Sequence, residues 1–238
     1  MNTNMNIAIF DVETDRLLEK KPGSSGHEDL RITVACGAVI TSISESPTVR
    51  TFYGTAKDAL ELSGETLDDL GKMLDDADAI VAYNGRWFDL RVLRNHLPKE
   101  AVDRWEAKLV DPFEAIKDHT GSWVKLDELL EANDLPRKSA NGVSAVEWWA
   151  EGRKREVADY CNDDVSGLVA LLALGQFAFP VKKWRAGPNG NTVKMKQEIV
   201  GWSELNWSAY LAKKTQARRI AETRDPDISD ISDIQGGR

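Results

Sequence analysis

The chain has 238 residues and a net charge of −8, with 42% hydrophobic and 29% charged residues and a mean hydropathy of −0.41. That length suits one sizeable α/β domain with an appendage. The start, Met1 to Asn6, has no Lys or Arg and precedes only four apolar residues, and the longest later apolar run, Leu168 to Phe179, is interrupted by Gly175 and Gln176. A secretory signal and the ~20-residue apolar span of a membrane helix are therefore both excluded, which places the protein in the cytoplasm.

In chain order, Ile7-Ala8-Ile9-Phe10-Asp11-Val12-Glu13 reads as a buried strand ending in two acids. Side chains two apart on a strand share a face, so Asp11 and Glu13 point the same way. Like charges held side by side repel, and a divalent cation between them is the common remedy. The bland alternative is a strand that stops at Phe10 and leaves both acids solvated. Thr14 to Leu30, with Pro22-Gly23-Ser24-Ser25-Gly26, reads as a mobile loop beside these acids. Arg31 to Ile40 and Thr48 to Tyr53 continue an antiparallel meander around the turn residues Ser44-Glu45-Ser46-Pro47.

Leu62 to Ala77 carries Leu67, Leu70, Met73 and Leu74 at helical spacing and leads into a short strand, Ala79 to Tyr83, which suggests a crossover into the same sheet. Asn84-Gly85 ends that strand and Trp87 to Leu97 reads as a helix. Asp89 lies at its start, as a ligand at the strand ends or as an acid stabilised by the helix dipole. Lys108 to Val110 is a further candidate strand, and Asp111-Pro112 starts a helix with Asp as N-cap. Leu126, Leu129 and Leu130 form a short amphipathic helix, residues 135–142 a loop, and Val143 to Gly152 a helix holding Trp148 and Trp149.

Val157 to Phe177 is the longest periodic segment. Its apolar stripe runs through Val157, Cys161, Val165, Leu168, Leu171 and Leu172, with Tyr160 and Asp164 beside it, one turn apart. Asp159 and Asp163 fall on the polar side. An inward Asp needs a partner, or else boundary water. Cys36 and Cys161 have no partner at metal-ligand spacing and read as buried thiols.

Val181 to Met195 reads as a hairpin about Pro188-Asn189-Gly190, and Trp202 to Ile220 as a last helix. Residues 178 to 219 hold nine basic and two acidic residues, net +7, leaving −15 for the remainder. A basic segment is thus joined to an acidic body. Lys182, Lys183, Trp184 and Arg185 make a basic patch with an aromatic on which a base can stack. The alternative is a solvated hairpin with a helix docked by Trp202 and Trp207. The expected organisation is residues 1–177 as the main domain, 178–222 as hairpin plus helix, and 223–238 as a disordered tail.

Three segments, Phe10-Asp11-Val12-Glu13-Thr14, Tyr83-Asn84-Gly85-Arg86-Trp87-Phe88-Asp89 and Tyr160-Cys161-Asn162-Asp163-Asp164-Val165, closely resemble in order and spacing the motifs of DEDD-type 3'→5' exonucleases. Tyr four residues before the last Asp resembles the Tyr subclass (DEDDy) of polymerase proofreading domains and RNase D. Lys125 to Leu130, with Lys138 and Gly142, is similar to the region before the third motif in stand-alone relatives of B-family proofreading domains. The resemblance covers about residues 5 to 177. It implies a ribonuclease H-like α/β fold, a five-stranded mixed sheet flanked by helices, here with a C-terminal basic hairpin and helix. It further implies that Asp11, Glu13, Asp89 and Asp164 bind two Mg²⁺ or Mn²⁺ ions, that Tyr160 orients the attacking water, and that Thr14 and Asn84 contact substrate. The implied enzyme is free-standing and releases nucleoside 5'-monophosphates from single-stranded DNA. An RNase D-type exoribonuclease and an inactive nuclease fold that binds nucleic acid stay open, as does a replication or repair partner.

Overall fold

The computed structural model describes residues 5–19, 23–41, 47–62, 64–136, 142–186 and 195–223. The first strand, β1 (Ile7–Thr14), pairs antiparallel along its length with β2 (Ile32–Ile40) and parallel with the short β4 (Ala79–Val81). β3 (Arg50–Tyr53) adds to the outer side of β2, so the order among the described residues is β3-β2-β1-β4. With neighbours on both edges and helices on both faces, β1 is apolar at every position from Ile7 to Phe10, all buried. Alternation then sorts its side chains. Ile7 and Ile9 enter one apolar cluster, Ala8, Phe10 and Val12 the other.

The crossover from β3 to β4 is α1 (Leu67–Asp76), entered through a capping box in which Thr66 and Asp69 satisfy each other's backbone N–H. It packs Leu70, Met73 and Leu74 into the Phe10 face. α2 (Asp89–Leu93) is shorter than the helix expected over 87–97, because residues 94–97 close as turns. α3 (Lys99–Lys108) is not among the elements the sequence predicts: Ala101, Val102 and Trp105 are its only buried positions, too few for a clear period. Lys108 to Val110, expected as a fifth strand, contributes a single parallel bridge, Ile80 to Leu109, with Val110 N–H on the Ile80 carbonyl at 2.8 Å. Asp111 caps α4 (Pro112–Thr120) immediately afterwards, which stops the strand from growing.

The other face of the sheet is covered by α5 (Leu126–Ala132), α6 (Gly142–Ala150) and the long α7 (Lys154–Ala173). β5 (Gln176–Ala186) and β6 (Met195–Asn206) form a separate antiparallel pair, longer than the expected 181–195, followed by α8 (Trp207–Thr223). Phe177, Phe179, Trp207 and Leu211 are buried in the α7-side cluster, whereas Trp202, on β6 and not on the last helix, is 62% exposed. The loop residues 137–141, the turn at 188–190, residues 44–46 and the tail from 224 lie outside the described residues.

One side chain clasps β5 to the helical layer. Asn133, after α5, donates Nδ2–H to the Ala178 carbonyl and accepts Ala178 N–H on Oδ1, both at 2.8 Å. Removing the amide strands two backbone groups in a part-buried place. Asn133→Ala should therefore lower unfolding free energy by about 1–3 kcal/mol, read as a shifted urea midpoint at unchanged slope.

Candidate active site

β1 brings the acids to the site by parity. Positions 7, 9, 11 and 13 share a face, so Asp11 and Glu13 continue the row of Ile7 and Ile9 toward the α7 layer. On α7, the stripe that buries Val157, Cys161, Val165 and Leu168 also buries Tyr160 and Asp164, while Asp159 and Asp163 are exposed. One carboxylate oxygen from each of Asp11, Glu13 and Asp164 lies within 4.8 Å of the others. Asp11 and Glu13 remain part-exposed and Asp164 is buried, so the cluster opens to solvent from the β1 end. Tyr160 lies one turn before Asp164, its ring edge-on to Trp148 at 6.3 Å between centroids.

Asp89 enters from the β4 edge of β1. The β1–β4 ladder ends at Ile9 and Val81, so the Val12 N–H beyond it has no strand partner on that side. Asp89 Oδ1 accepts it at 2.9 Å. Burial first, then the Asp11 charge, push the Asp89 carboxyl well above the usual carboxylate range. A bound cation reverses that pressure by favouring the ionised form. The donors are all carboxylate oxygens, a set that suits a hard, oxygen-seeking divalent ion. Cys161 sits against the cluster with Sγ 3.6 Å from both the Asp11 carbonyl and Oδ2. Burial and its neighbour Cys36 push its thiol well up, so it stays protonated and acts as a weak donor to Asp11.

The loop carrying Asp89 is built on a second acid that sequence reasoning took only as a helix cap. Asn84, in the left-handed region at φ 63, turns the chain out of β4. Its N–H donates to Asp111 Oδ1 at 3.0 Å, and the same oxygen accepts Phe113 N–H at 2.9 Å. Asp111 Oδ2 is buried and has no hydrogen-bond partner among the described residues. Burial pushes this carboxyl up to about 7, against the pull of the two backbone donors. The Asp-Pro pair announces the cap but not the long-range bond to Asn84.

Of the expected substrate contacts, Thr14 is buried and spends its hydroxyl on the Arg16 carbonyl at 2.9 Å. Lys182 is turned inward, ion-paired with Glu128, its side chain only 9% exposed. Lys183 is exposed, and the side chains of Trp184 and Arg185 lie outside the described residues. The loop expected to be mobile is pinned where it is described. His27 Nε2 lies 3.0 Å from the Trp87 carbonyl, Asn95 Nδ2 donates to the His27 carbonyl at 2.8 Å, and His96 Nε2 lies 3.0 Å from the Leu30 carbonyl.

A family model described as the RNase H superfamily matches residues 8–174. Among solved structures, the chain is similar to the family B DNA polymerase from the hyperthermophilic archaeon Pyrobaculum calidifontis, at 18% identity and TM-score 0.49, over 72% of this chain and 24% of that one. It is also similar to E. coli exonuclease I in complex with a 5cy-dT13 oligonucleotide, at 15% identity and TM-score 0.37, over 66% of this chain and 42% of that one. The chain thus spans less than half the length of these structures. No curated protein matches the sequence. Among the described residues, no helix is long and apolar enough to cross a membrane.

The protonation of Asp111 has a measurable consequence. A carboxyl whose folded pKa of about 7 stands above its unfolded value of about 3.9 binds its proton more tightly when folded. Stability therefore declines as pH rises from about 4 to about 7 and levels off above that. Asp111→Asn keeps an acceptor for Asn84 and Phe113 but never ionises. Its melting temperature relative to wild type should climb across that window, by an amount worth at most on the order of 4 kcal/mol. A constant offset from pH 4 to 8 refutes the shift.

Proposed function

The chain belongs to the RNase H superfamily, and from that premise we propose that it is a metal-dependent 3'→5' exonuclease of the DEDD type, Tyr subclass, acting on single-stranded DNA. One observation carries the reading: carboxylates from Asp11, Glu13 and Asp164, the last about 150 residues away in the chain, lie within 4.8 Å of one another at the solvent-opening end of β1. Asp89 completes the set from the β4 edge of β1, buried and anchored to Val12 N–H. Like charges do not gather this way for stability. They suit a centre whose ions, when bound, supply Lewis-acid stabilisation of the attacking and leaving oxygens of a phosphodiester.

The protein's own groups then have distinct tasks. Asp11, Glu13, Asp89 and Asp164 hold and space two divalent ions, Mg²⁺ or Mn²⁺. Asp89 is fixed by its backbone bond and does not need to reorganise. Tyr160, one turn from Asp164, orients the attacking water through its hydroxyl. Its role is orientation because an unperturbed phenol, with pKa ~10, is a poor base at neutral pH. Asn84, displayed on the left-handed turn next to Asp89, and Lys183 on the exposed side of β5 are the proposed contacts to sugar and phosphate. Lys182 instead holds β5 to α5 through Glu128.

Incubation of the protein with end-labelled single-stranded DNA and RNA, side by side, with Mg²⁺, Mn²⁺ or EDTA, should give nucleoside 5'-monophosphates from the 3' end of DNA only when a metal is present. Faster release from RNA would favour the exoribonuclease reading. Asp164→Ala and Asp11→Ala should each lower the rate by at least about 10³-fold. Metal added at about 100 times its Kd should stabilise the wild type by about 2.7 kcal/mol. Both variants should lose that thermal shift while melting as high as the metal-free wild type or higher, since a like charge has been removed. Unchanged hydrolysis by Asp164→Ala would withdraw the assignment.

Tyr160→Phe separates orientation from ligation. It should retain activity at a level on the order of 10- to 100-fold below wild type, with metal-induced stabilisation intact. Asp163→Asn, on the exposed side of α7, should stay within about twofold. The reverse ranking of these two variants would place the working face of α7 elsewhere.

A further inference from the structure

The surface carries two tryptophans that the fold does not bury, Trp87 on the loop that leads to Asp89 and Trp123 between α4 and α5. Trp87 is 44% and Trp123 51% exposed. Lys117 on α4 reaches both, its Nζ 5.9 Å from the Trp87 ring centroid and 4.7 Å from that of Trp123. The Arg91 guanidinium lies 4.6 Å from the Trp87 ring centroid. Neither cation forms an ion pair with a carboxylate among the described residues.

We infer that Trp87, Lys117 and Trp123, with Arg91, form a base-stacking strip that holds the single strand upstream of the nucleotide being cleaved. The inference rests on the exonuclease reading and deepens it, because it says where the strand lies and what grips it. Three observations support it. First, the rings are rigidly mounted. Trp123 meets the edge of the buried Phe113 at 5.4 Å, Phe113 meets Tyr83 at 5.8 Å, and the Trp87 carbonyl is held by His27. Presenting preset rings lowers the ordering cost of binding. Second, the chemistry matches one ligand: exposed π-faces suit bases of any sequence, and the two cations suit the phosphates between them. Third, Trp87 is two residues before Asp89, one of the four acids of the proposed metal centre. Positive charge here also offsets the repulsion that a carboxylate cluster exerts on an incoming phosphate chain.

The test uses the full chain with Ca²⁺ replacing Mg²⁺, and a fluorescein-labelled oligothymidylate of about twelve nucleotides read by anisotropy. Trp87→Ala/Trp123→Ala should bind about 10- to 100-fold more weakly, and Trp87→Phe/Trp123→Phe should recover most of the loss. The wild type should show a similar loss on an abasic oligonucleotide of equal length and charge, a comparison that involves no variant and hence no folding question. With Mg²⁺, KM for the twelve-mer should rise by the same factor while kcat changes far less. If the wild type binds the oligonucleotide and the alanine pair binds it equally well, the strip is overturned and the exonuclease reading stands. If the wild type neither binds nor cleaves DNA or RNA with Mg²⁺ or Mn²⁺, the exonuclease reading falls and the strip falls with it.

Discussion

The row of side chains at positions 7, 9, 11 and 13 of β1 sets the terms for the rest of the molecule. A strand alternates strictly, so whichever layer covers Ile7 and Ile9 must also face Asp11 and Glu13. That layer is α7, and α7 is therefore apolar where it covers the first two and adds a buried carboxylate, Asp164, where it meets the second two. Its stripe does this within four turns, with Val165 and Leu168 on the core side and Tyr160 and Asp164 against the acids. A one-residue slip in the β1–β2 register would turn both acids to the Phe10 face and leave α7 nothing to complete.

Bringing these acids together is electrostatically unfavourable, and the surroundings absorb it in several ways. Part exposure keeps Asp11 and Glu13 hydrated. Asp89, fully enclosed, is held by the Val12 N–H and carries a raised pKa, so the metal-free fold need not keep every acid ionised. Asp111, further back, fixes the left-handed turn at Asn84 through one oxygen and leaves the other buried and unpartnered. Each departs from what stability alone would select, and they lie together behind one end of one sheet. Two raised carboxyls beside a carboxylate cluster fit the proposed metal centre.

Much of this was legible in the sequence wherever the signal is local. The β1 run, the helix read within Leu62 to Ala77, the short strand after it and the stripe of α7 all follow from spacing, and the stripe alone separates Asp164 from Asp163. What stayed hidden depends on partners distant in the chain. α3 has too few apolar positions to show a period, yet Trp105 is fully buried because α1 lies against it and Asp75 accepts its indole N–H at 2.8 Å. The fifth strand fails because Asp111 is claimed as a cap one residue after the bridge at Leu109 and Val110. Loop 15–30 looked mobile from its composition, but His27 is buried by docking on the Trp87 carbonyl, a contact no local pattern encodes. Lys182 looked available until its strand was seen lying beside Glu128 of α5.

The loss of Lys182 to an internal pair changes how an acidic protein of this kind can hold a polyanion. The +7 carried by residues 178–219 is a formal sum, and a cation neutralised by Glu128 contributes little field at the surface. Elsewhere, Arg91 and Lys117, which form no ion pair among the described residues, are set against exposed indoles. Binding by counterion release scales with the number of phosphates neutralised, whereas stacking on aromatic faces does not depend on salt in that way. On the proposed reading, exposed tryptophans flanked by Arg91 and Lys117 suit gripping bases more than backbone. Bases are free for stacking only in an unpaired strand, so the proposed strip would discriminate against duplex before any contact with the reacting phosphate is made.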